Sequence, residues 1–407
     1  MDYLDLHRTL KKAILPELDT LRLGDGLWVS QLDFTSGNER ILSGESHYSC
    51  SLHGALDSEP EPSAPALNIP PRFLDSHDSR IKENRNFRYA VFHGAGARRA
   101  GEVLLLFHGL NEKDWHKYLP WAHRLALVTG KAVVLFPIAF HMNRAPAEWS
   151  EPRLMHRLSE QRRGDFPDVV GSSLSNVAIS SRLHAQPQRF IWSGLQTYVD
   201  VVQLLKVIHQ DRHPLVEPGA RVDILGYSIG GLLAQVLLMT NPEHLLDRSR
   251  LCLFCGGALF NRILPVSKFI LDSETSAALR SYLVTDLERH LGQDPRLRHY
   301  LGGAHPEGLL FRSMLNEAVL GQEREAQFRR IAPRLLAIAL EQDTVMPPSA
   351  VINALKGAKR DIPARVEVMD FPYPYQHEDP FPSQVARRGM VEGSFRRVFD
   401  TIADFLD

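Results

Sequence analysis

Cysteine is scarce in this chain: Cys50, Cys252 and Cys255 are the only three among 407 residues. A disulfide scaffold is thereby excluded. Neither sign of charge is in excess, with 47 Lys and Arg against 48 Asp and Glu. No global field points to nucleic acid or to an anionic membrane, and no nucleic-acid partner is expected. No uninterrupted apolar run approaches the roughly 18 residues of a membrane span. The first residues, Met1-Asp2-Tyr3-Leu4-Asp5-Leu6, lack the charge-then-apolar pattern of a secretory signal. Taken as the native start, they make a soluble, cytoplasmic protein the expectation. There is no internal repeat. No Gly-x-Gly-x-x-Gly follows a strand, so no nucleotide cofactor is implied. The 18 histidines form no convincing His-x-x-x-His or His-Glu-x-x-His site, so no metal is implied either.

What is present is ordinary globular material. Hydrophobic residues make up 44% and charged residues 23%, which excludes intrinsic disorder as a whole-chain description. The spacing of Leu4, Leu10, Ile14, Leu18 and Leu21 predicts a helix within 3–23, kinked or broken at Pro16. Leu27 to Phe34 alternates as a strand does. Five prolines between 57 and 72 mark an extended linker or loop.

A regular pattern then begins. Short, nearly all-apolar runs occur at 103–107, 132–136, 222–225, 251–255, 335–340 and 365–371. Most are bounded by Gly or Pro, as suits strands buried on both faces. Amphipathic segments at 117–128, 195–209, 230–240 and 391–406 lie among them. This alternation predicts an α/β fold with a mainly parallel central sheet flanked by helices. Cys252-Leu-Phe-Cys255 falls inside one apolar run. Strand alternation would send its thiols to opposite faces, so both are read as buried structural cysteines; a redox or metal pair is the alternative.

The most informative segment is Gly226-Tyr227-Ser228-Ile229-Gly230, set between an apolar run and a helix-like segment. Gly-x-Ser-x-Gly in that context places a serine on a strained strand-to-helix turn. Small residues at 226 and 230 let strand and helix approach, and the helix N-terminus aims its amides at the hydroxyl. A plain tight turn carrying an ordinary serine is the alternative.

On these residues the chain resembles the α/β-hydrolase superfamily, over roughly residues 87–407. The resemblance implies a core made of 87–137, 195–257 and 334–407, with the two long intervals as departures from it. It implies a triad in the order Ser, acid, His. Asp343 follows the strand at 335–340 in Glu341-Gln-Asp-Thr-Val-Met-Pro-Pro348, and His377 follows the last strand. Asp370 and Glu341 are the reserve acids; a helix cap is the alternative role for Asp343, and a surface location for His377. His108-Gly109-Leu110 matches the turn supplying one oxyanion-hole amide. The expected donors are therefore the N–H groups of Leu110 and Ile229, with Asn111 and Glu112 bracing the turn.

Residues 138–194 and 258–333 are too long for simple connections, and are expected to be insertions forming a helical cap. Helices are expected near 274–291 and 306–329. His108, His141, Asn143 and Arg144 are candidate substrate-binding residues; for the last three, anchoring the first insertion is the favoured reading. Residues 1–86 form an N-terminal extension of unknown role that could add edge strands or a subunit contact. Oligomeric state stays open, a homodimer included. The expected activity is hydrolysis of a small-molecule carboxylic ester or thioester without a cofactor. The alternatives are another reaction on the same fold (acyltransferase, peptidase or lyase) or a non-catalytic binding protein.

Overall fold

The computed structural model describes residues 1–14, 17–37, 40–45, 47–56, 77–94, 99–383 and 385–407. The Pro-rich stretch at 57–72 and the break expected at Pro16 lie outside them. Among the described residues eleven strands run in chain order: β1 (Thr20–Arg22), β2 (Leu27–Thr35), β3 (Ser49–Cys50), β4 (Gly54–Ala55), β5 (Asn86–Gly94), β6 (Ala100–Phe107), β7 (Ala132–Leu135), β8 (Val216–Tyr227), β9 (Leu251–Phe254), β10 (Leu335–Leu340) and β11 (Arg365–Met369). Nine of them form one sheet in the order β1-β2-β5-β7-β6-β8-β9-β10-β11, while β3 and β4 pair as a separate hairpin. From β7 to β11 every pairing is parallel; β1, β2 and β5 join antiparallel at one edge.

The inner parallel strands read as apolar runs because both faces are covered; β11, expected to be one of them, is instead a largely exposed edge strand carrying Arg365 and Glu367. Val103, Leu105 and Phe107 of β6 pack on one side with the helices Arg189–His209 and Ile229–Thr240. Leu104 and Leu106 pack on the other with Leu119–Thr129, Arg388–Leu406 and Tyr3–Ala13. The same alternation sorts Leu251 and Leu253 from Cys252 and Phe254. At about 25 cal/mol per Å², each fully buried Leu contributes roughly 1.5–3 kcal/mol.

Several expectations need correcting. The first helix stops at Ala13, because 20–22 is recruited as β1 against β2. The helix expected at 195 starts at Arg189, so Phe190 and Trp192 belong to its first turns. Cys255 is not on the face opposite Cys252. It lies one residue beyond β9 at φ +47°, where alternation no longer holds, and joins the same core cluster. All three cysteines are unpaired thiols.

The two long intervals are helical and are joined to each other. The first contains Pro152–Asp165 and Val177–Ala185; the second contains Ser273–Arg280, Leu287–Gln293, Pro295–Leu301, Pro306–Ser313 and Gly321–Ile331. Arg162 clasps Asp272 through two hydrogen bonds (2.5 and 2.9 Å) with both groups buried. Thr275 Oγ1 donates to the Ser180 carbonyl (2.9 Å), and Asn176 Nδ2 to that of Ser267 (2.8 Å). No helix among the described residues is long and apolar enough to cross a membrane.

Candidate active site

The turn after β8 is built by close approach. A Cβ on Gly226 would lie 2.6 Å from Gly231 Cα, and one on Gly230 would lie 2.6 Å from the His108 carbonyl oxygen. Only glycine lets strand, turn and helix pass so close. Between them Ser228 adopts φ 55°, ψ −124°, sparsely populated backbone that costs on the order of 1–3 kcal/mol. This turn heads the helix Ile229–Thr240, so the Ile229 N–H sits where no intrahelical acceptor exists.

Three segments distant in sequence meet here. His377 Nε2 lies 2.8 Å from Ser228 Oγ, and its Nδ1 lies 2.7 Å from Asp343 Oδ2. All three side chains are buried. The other Asp343 oxygen accepts from the backbone N–H groups of Val345 (2.9 Å) and Met346 (2.8 Å). These bonds fix the carboxylate plane and hence the imidazole tautomer, with Nδ1–H toward the acid and the Nε2 lone pair toward the hydroxyl. Asp343 caps no helix: the following one, Pro348–Lys356, begins without a side-chain cap. Asp370, one of the reserve acids, instead bonds the Tyr375 hydroxyl (2.9 Å) and Gln342 Nε2 (3.0 Å). The other, Glu341, is exposed.

Residues not foreseen from the sequence complete the site. Tyr227 stacks on the His377 ring (centroids 5.5 Å apart, 20° between planes) and its hydroxyl donates to the His377 carbonyl. Burial raises the Tyr227 phenol well above its usual range, so it stays a donor. Cys255 Sγ lies within 4.8 Å of donor atoms of Asp343 and His377, and burial first, then the Asp343 carboxylate, push the thiol well up. The Tyr118 hydroxyl accepts from the Gly109 N–H (2.9 Å) and donates to Glu112 (2.8 Å). The only sequence signal for these three was an aromatic or thiol beside a motif, which core packing produces equally well.

The turn after β6 is held from several sides. His108 Nδ1 bonds the Gly109 carbonyl (2.8 Å), and its Nε2 accepts from the Ile138 N–H (2.9 Å). Burial, its largest influence, drives the His108 pKa well down, so the ring is a neutral latch between two loops. Asn111 Nδ2 donates to the carbonyls of Ser175 (3.0 Å) and Phe269 (2.7 Å), one from each long interval.

Two cavities share Leu110 and Ile229 in their walls, and the smaller one reaches Ser228. The larger, about 120 Å³, extends between Ile138, Ile179, Leu183, Leu232 and Phe311. The smaller, about 30 Å³, is bounded by Ser228, Phe260, Ile263, Ile270, Leu271 and Met346. Of the four candidate substrate-binding residues, His141 alone lines either of these two cavities. Its Nδ1 bonds the Ala139 carbonyl (2.8 Å), its buried Nε2 has no hydrogen-bond partner among the described residues, and burial lowers its pKa to about 4. Arg144 and Asn143 are held by contacts within the protein. Arg144 is fully buried against Asp200 (2.7 Å) and the Phe87 ring, and Asn143 donates to the Arg88 carbonyl (2.8 Å).

A mainly parallel sheet flanked by helices, with a serine turn at the end of a central strand, places the chain in the α/β-hydrolase fold class. It belongs to the family of unknown function DUF6051, whose model matches residues 1–407. No curated protein sequence matches the chain. Similar solved structures include the S-formylglutathione hydrolase of Agrobacterium tumefaciens (14% identity, TM-score 0.46, 96% of this chain and 100% of that one). Others are a thermostable esterase from Pseudomonas putida (11%, 0.44, 99% and 90%) and carboxyl esterase 2 from Tuber melanosporum (12%, 0.44, 79% and 84%).

Proposed function

We propose that this protein is a serine hydrolase that cleaves a carboxylic ester, or a thioester, with an apolar acyl group. The observation that carries the reading is the continuous hydrogen-bonded line from Ser228 Oγ through His377 to Asp343. In the reaction Ser228 Oγ attacks the acyl carbon as His377 Nε2 takes its proton. Asp343 stabilises the imidazolium, and the N–H groups of Leu110 and Ile229 receive the oxyanion. His377 then protonates the departing alcohol or thiol, and a water activated by the same imidazole resolves the acyl-enzyme.

Residues 138–194 and 258–333 act as a cover. Their mutual hydrogen bonds and the burial of Ser228 support this, as does the apolar wall of the larger cavity. The acyl chain occupies that cavity, and the smaller one receives the leaving group. Asp78, Arg182 and Arg189 also line the larger cavity, where the Asp78 carboxylate faces both guanidinium groups, so this end of the cavity is polar while most of the rest of its wall is apolar.

A fluorophosphonate probe should label the wild type and leave Ser228→Ala unlabelled. A series of p-nitrophenyl esters should then show kcat/KM rising with acyl length to an optimum. Absence of labelling, or a profile flat from short to long acyl groups, would count against the proposal.

A further inference from the structure

Away from Ser228, the hairpin β3–β4 presents a second convergence of reactive side chains. One donor atom each from Cys50, His53, His299 and His305 lies within 4.8 Å of the others. Cys50 Sγ is 3.5 Å from His53 Nδ1 and 3.4 Å from His305 Nε2, and His305 Nε2 is 3.0 Å from His299 Nε2. Ligands around a tetrahedral zinc ion stand about 3.3 Å apart for two nitrogens and about 3.6 Å for sulfur and nitrogen, given zinc bonds of about 2.0–2.3 Å. The spacing is therefore that of a coordination shell.

We propose that these four residues bind one Zn²⁺ in a closed, structural site. The donor chemistry selects the metal: a thiolate with three imidazoles suits zinc and offers magnesium or calcium no oxygen. Four protein ligands leave no position for a water, so the site holds structure rather than performing chemistry. The imidazole rings are arranged around one point, with interplanar angles of 82°, 87° and 68°.

The surroundings are those of a metal site too. His305 Nδ1 lies 3.0 Å from Glu307 Oε1 and donates to it, which leaves the Nε2 lone pair for the ion. The Leu52 N–H donates to Cys50 Sγ at 3.4 Å, which orients the sulfur toward the histidines.

The hairpin also needs a staple. Its strands have two residues each, far short of independent stability. His299 and His305 come from the segment that includes Tyr300, Leu301 and Glu307, which line the larger cavity. The ion would fasten the hairpin to the outside of that wall. Sequence spacing could not reveal this, since Cys50 and His305 are 255 residues apart.

Purified wild type, assayed by elemental analysis, should carry one zinc per chain. After chelator treatment under reducing conditions it should take up one Co²⁺ with a thiolate-to-cobalt charge-transfer band. Zinc restored to that protein should raise its melting temperature and shield Cys50 from iodoacetamide. Cys50→Ser and His305→Ala should bind cobalt at least tenfold more weakly. His244→Ala, at an exposed histidine remote from the cluster, should bind as wild type does. The wild-type titration comes first and needs neither a folded variant nor a substrate. A wild type that takes up neither Zn²⁺ nor Co²⁺, or a Cys50→Ser variant that binds unchanged, would overturn the proposal.

Discussion

Asn111→Asp is the sharpest perturbation of the proposed machinery, because it changes almost nothing but one donor. Asn111 sits at φ +63°, backbone that Asn and Asp tolerate best among residues with a side chain. Its Nδ2 serves two carbonyls, at 3.0 Å from Ser175 and 2.7 Å from Phe269. The aspartate keeps the shape but turns an acceptor toward both. Two donated bonds are lost, each worth about 0.5–1.5 kcal/mol net, and a charge is set against two carbonyl dipoles. The local cost is about 2–4 kcal/mol, and the turn must move to relieve it. Leu110 precedes Asn111, so the displacement falls on a proposed oxyanion donor, and losing one such donor costs about 10²–10³ in kcat.

The introduced carboxyl has a pH signature. Burial and carbonyl neighbours raise its pKa, and once protonated it donates to one of the two carbonyls. The kcat ratio of wild type to variant should therefore be largest near pH 8 and should shrink toward pH 6. Taking the ratio at each pH removes the titration of His377, common to both proteins. Steady-state kinetics on any turned-over p-nitrophenyl ester suffice. Equal kcat in the two proteins, or a deficit independent of pH, would refute the coupling of Asn111 to the oxyanion turn.

Asp343→Asn should lower kcat by on the order of 10⁴ with the fold intact, since the imidazole tautomer is no longer set; near-wild-type kinetics would remove Asp343 from the reaction. Gly230→Ala should destabilise the protein by about 1–3 kcal/mol or more, because its Cβ would meet the His108 and Phe107 carbonyl oxygens at 2.6 and 2.7 Å; an unchanged denaturation midpoint contradicts this. Burial holds His108, His141 and His213 neutral, the last two with pKa about 4. The unfolded chain takes up these protons near pH 6.5, so stability is complete above that value and falls as the pH drops toward 4. His141 and His213 each account for about 3 kcal/mol at the lower limit, and urea midpoints that stay flat across the window would refute it. Leu183→Phe narrows the larger cavity and should move the optimum toward shorter acyl esters; an unmoved optimum would place the acyl group elsewhere.

The sheet was legible because burial on both faces leaves an unmistakable mark: β7, β9 and β10, with Val103–Phe107 of β6 and Ile224–Leu225 of β8, are apolar throughout. Ser228 and Asp343 could be nominated because each follows such a strand, and His377 because it follows the last strand in chain order. The antiparallel edge was harder. β1 has three residues, and β5 mixes Arg88 and His93 with its apolar positions because it nears solvent. Arg144 and Asn143 were ambiguous since a buried anchor and a ligand contact demand the same polar atoms. Only the partners, Asp200 and the Arg88 carbonyl, separate the two. Tyr227, Tyr118 and Cys255 act through contacts across the fold that no local pattern encodes.

The Cys255 thiol against Asp343 has a consequence for inhibitor profiling. Its sulfur, Asp343 and His377 offer donor atoms within 4.8 Å of one another. A soft ion such as Hg²⁺ finds a ready chelate there, and occupying it would draw the imidazole away from Ser228. Iodoacetamide, which needs a thiolate, meets a buried thiol held protonated. Mercury sensitivity combined with indifference to alkylation would then give a serine-dependent protein the superficial profile of a thiol enzyme, and substitution of Cys255 by serine would erase that profile while sparing the fluorophosphonate reaction.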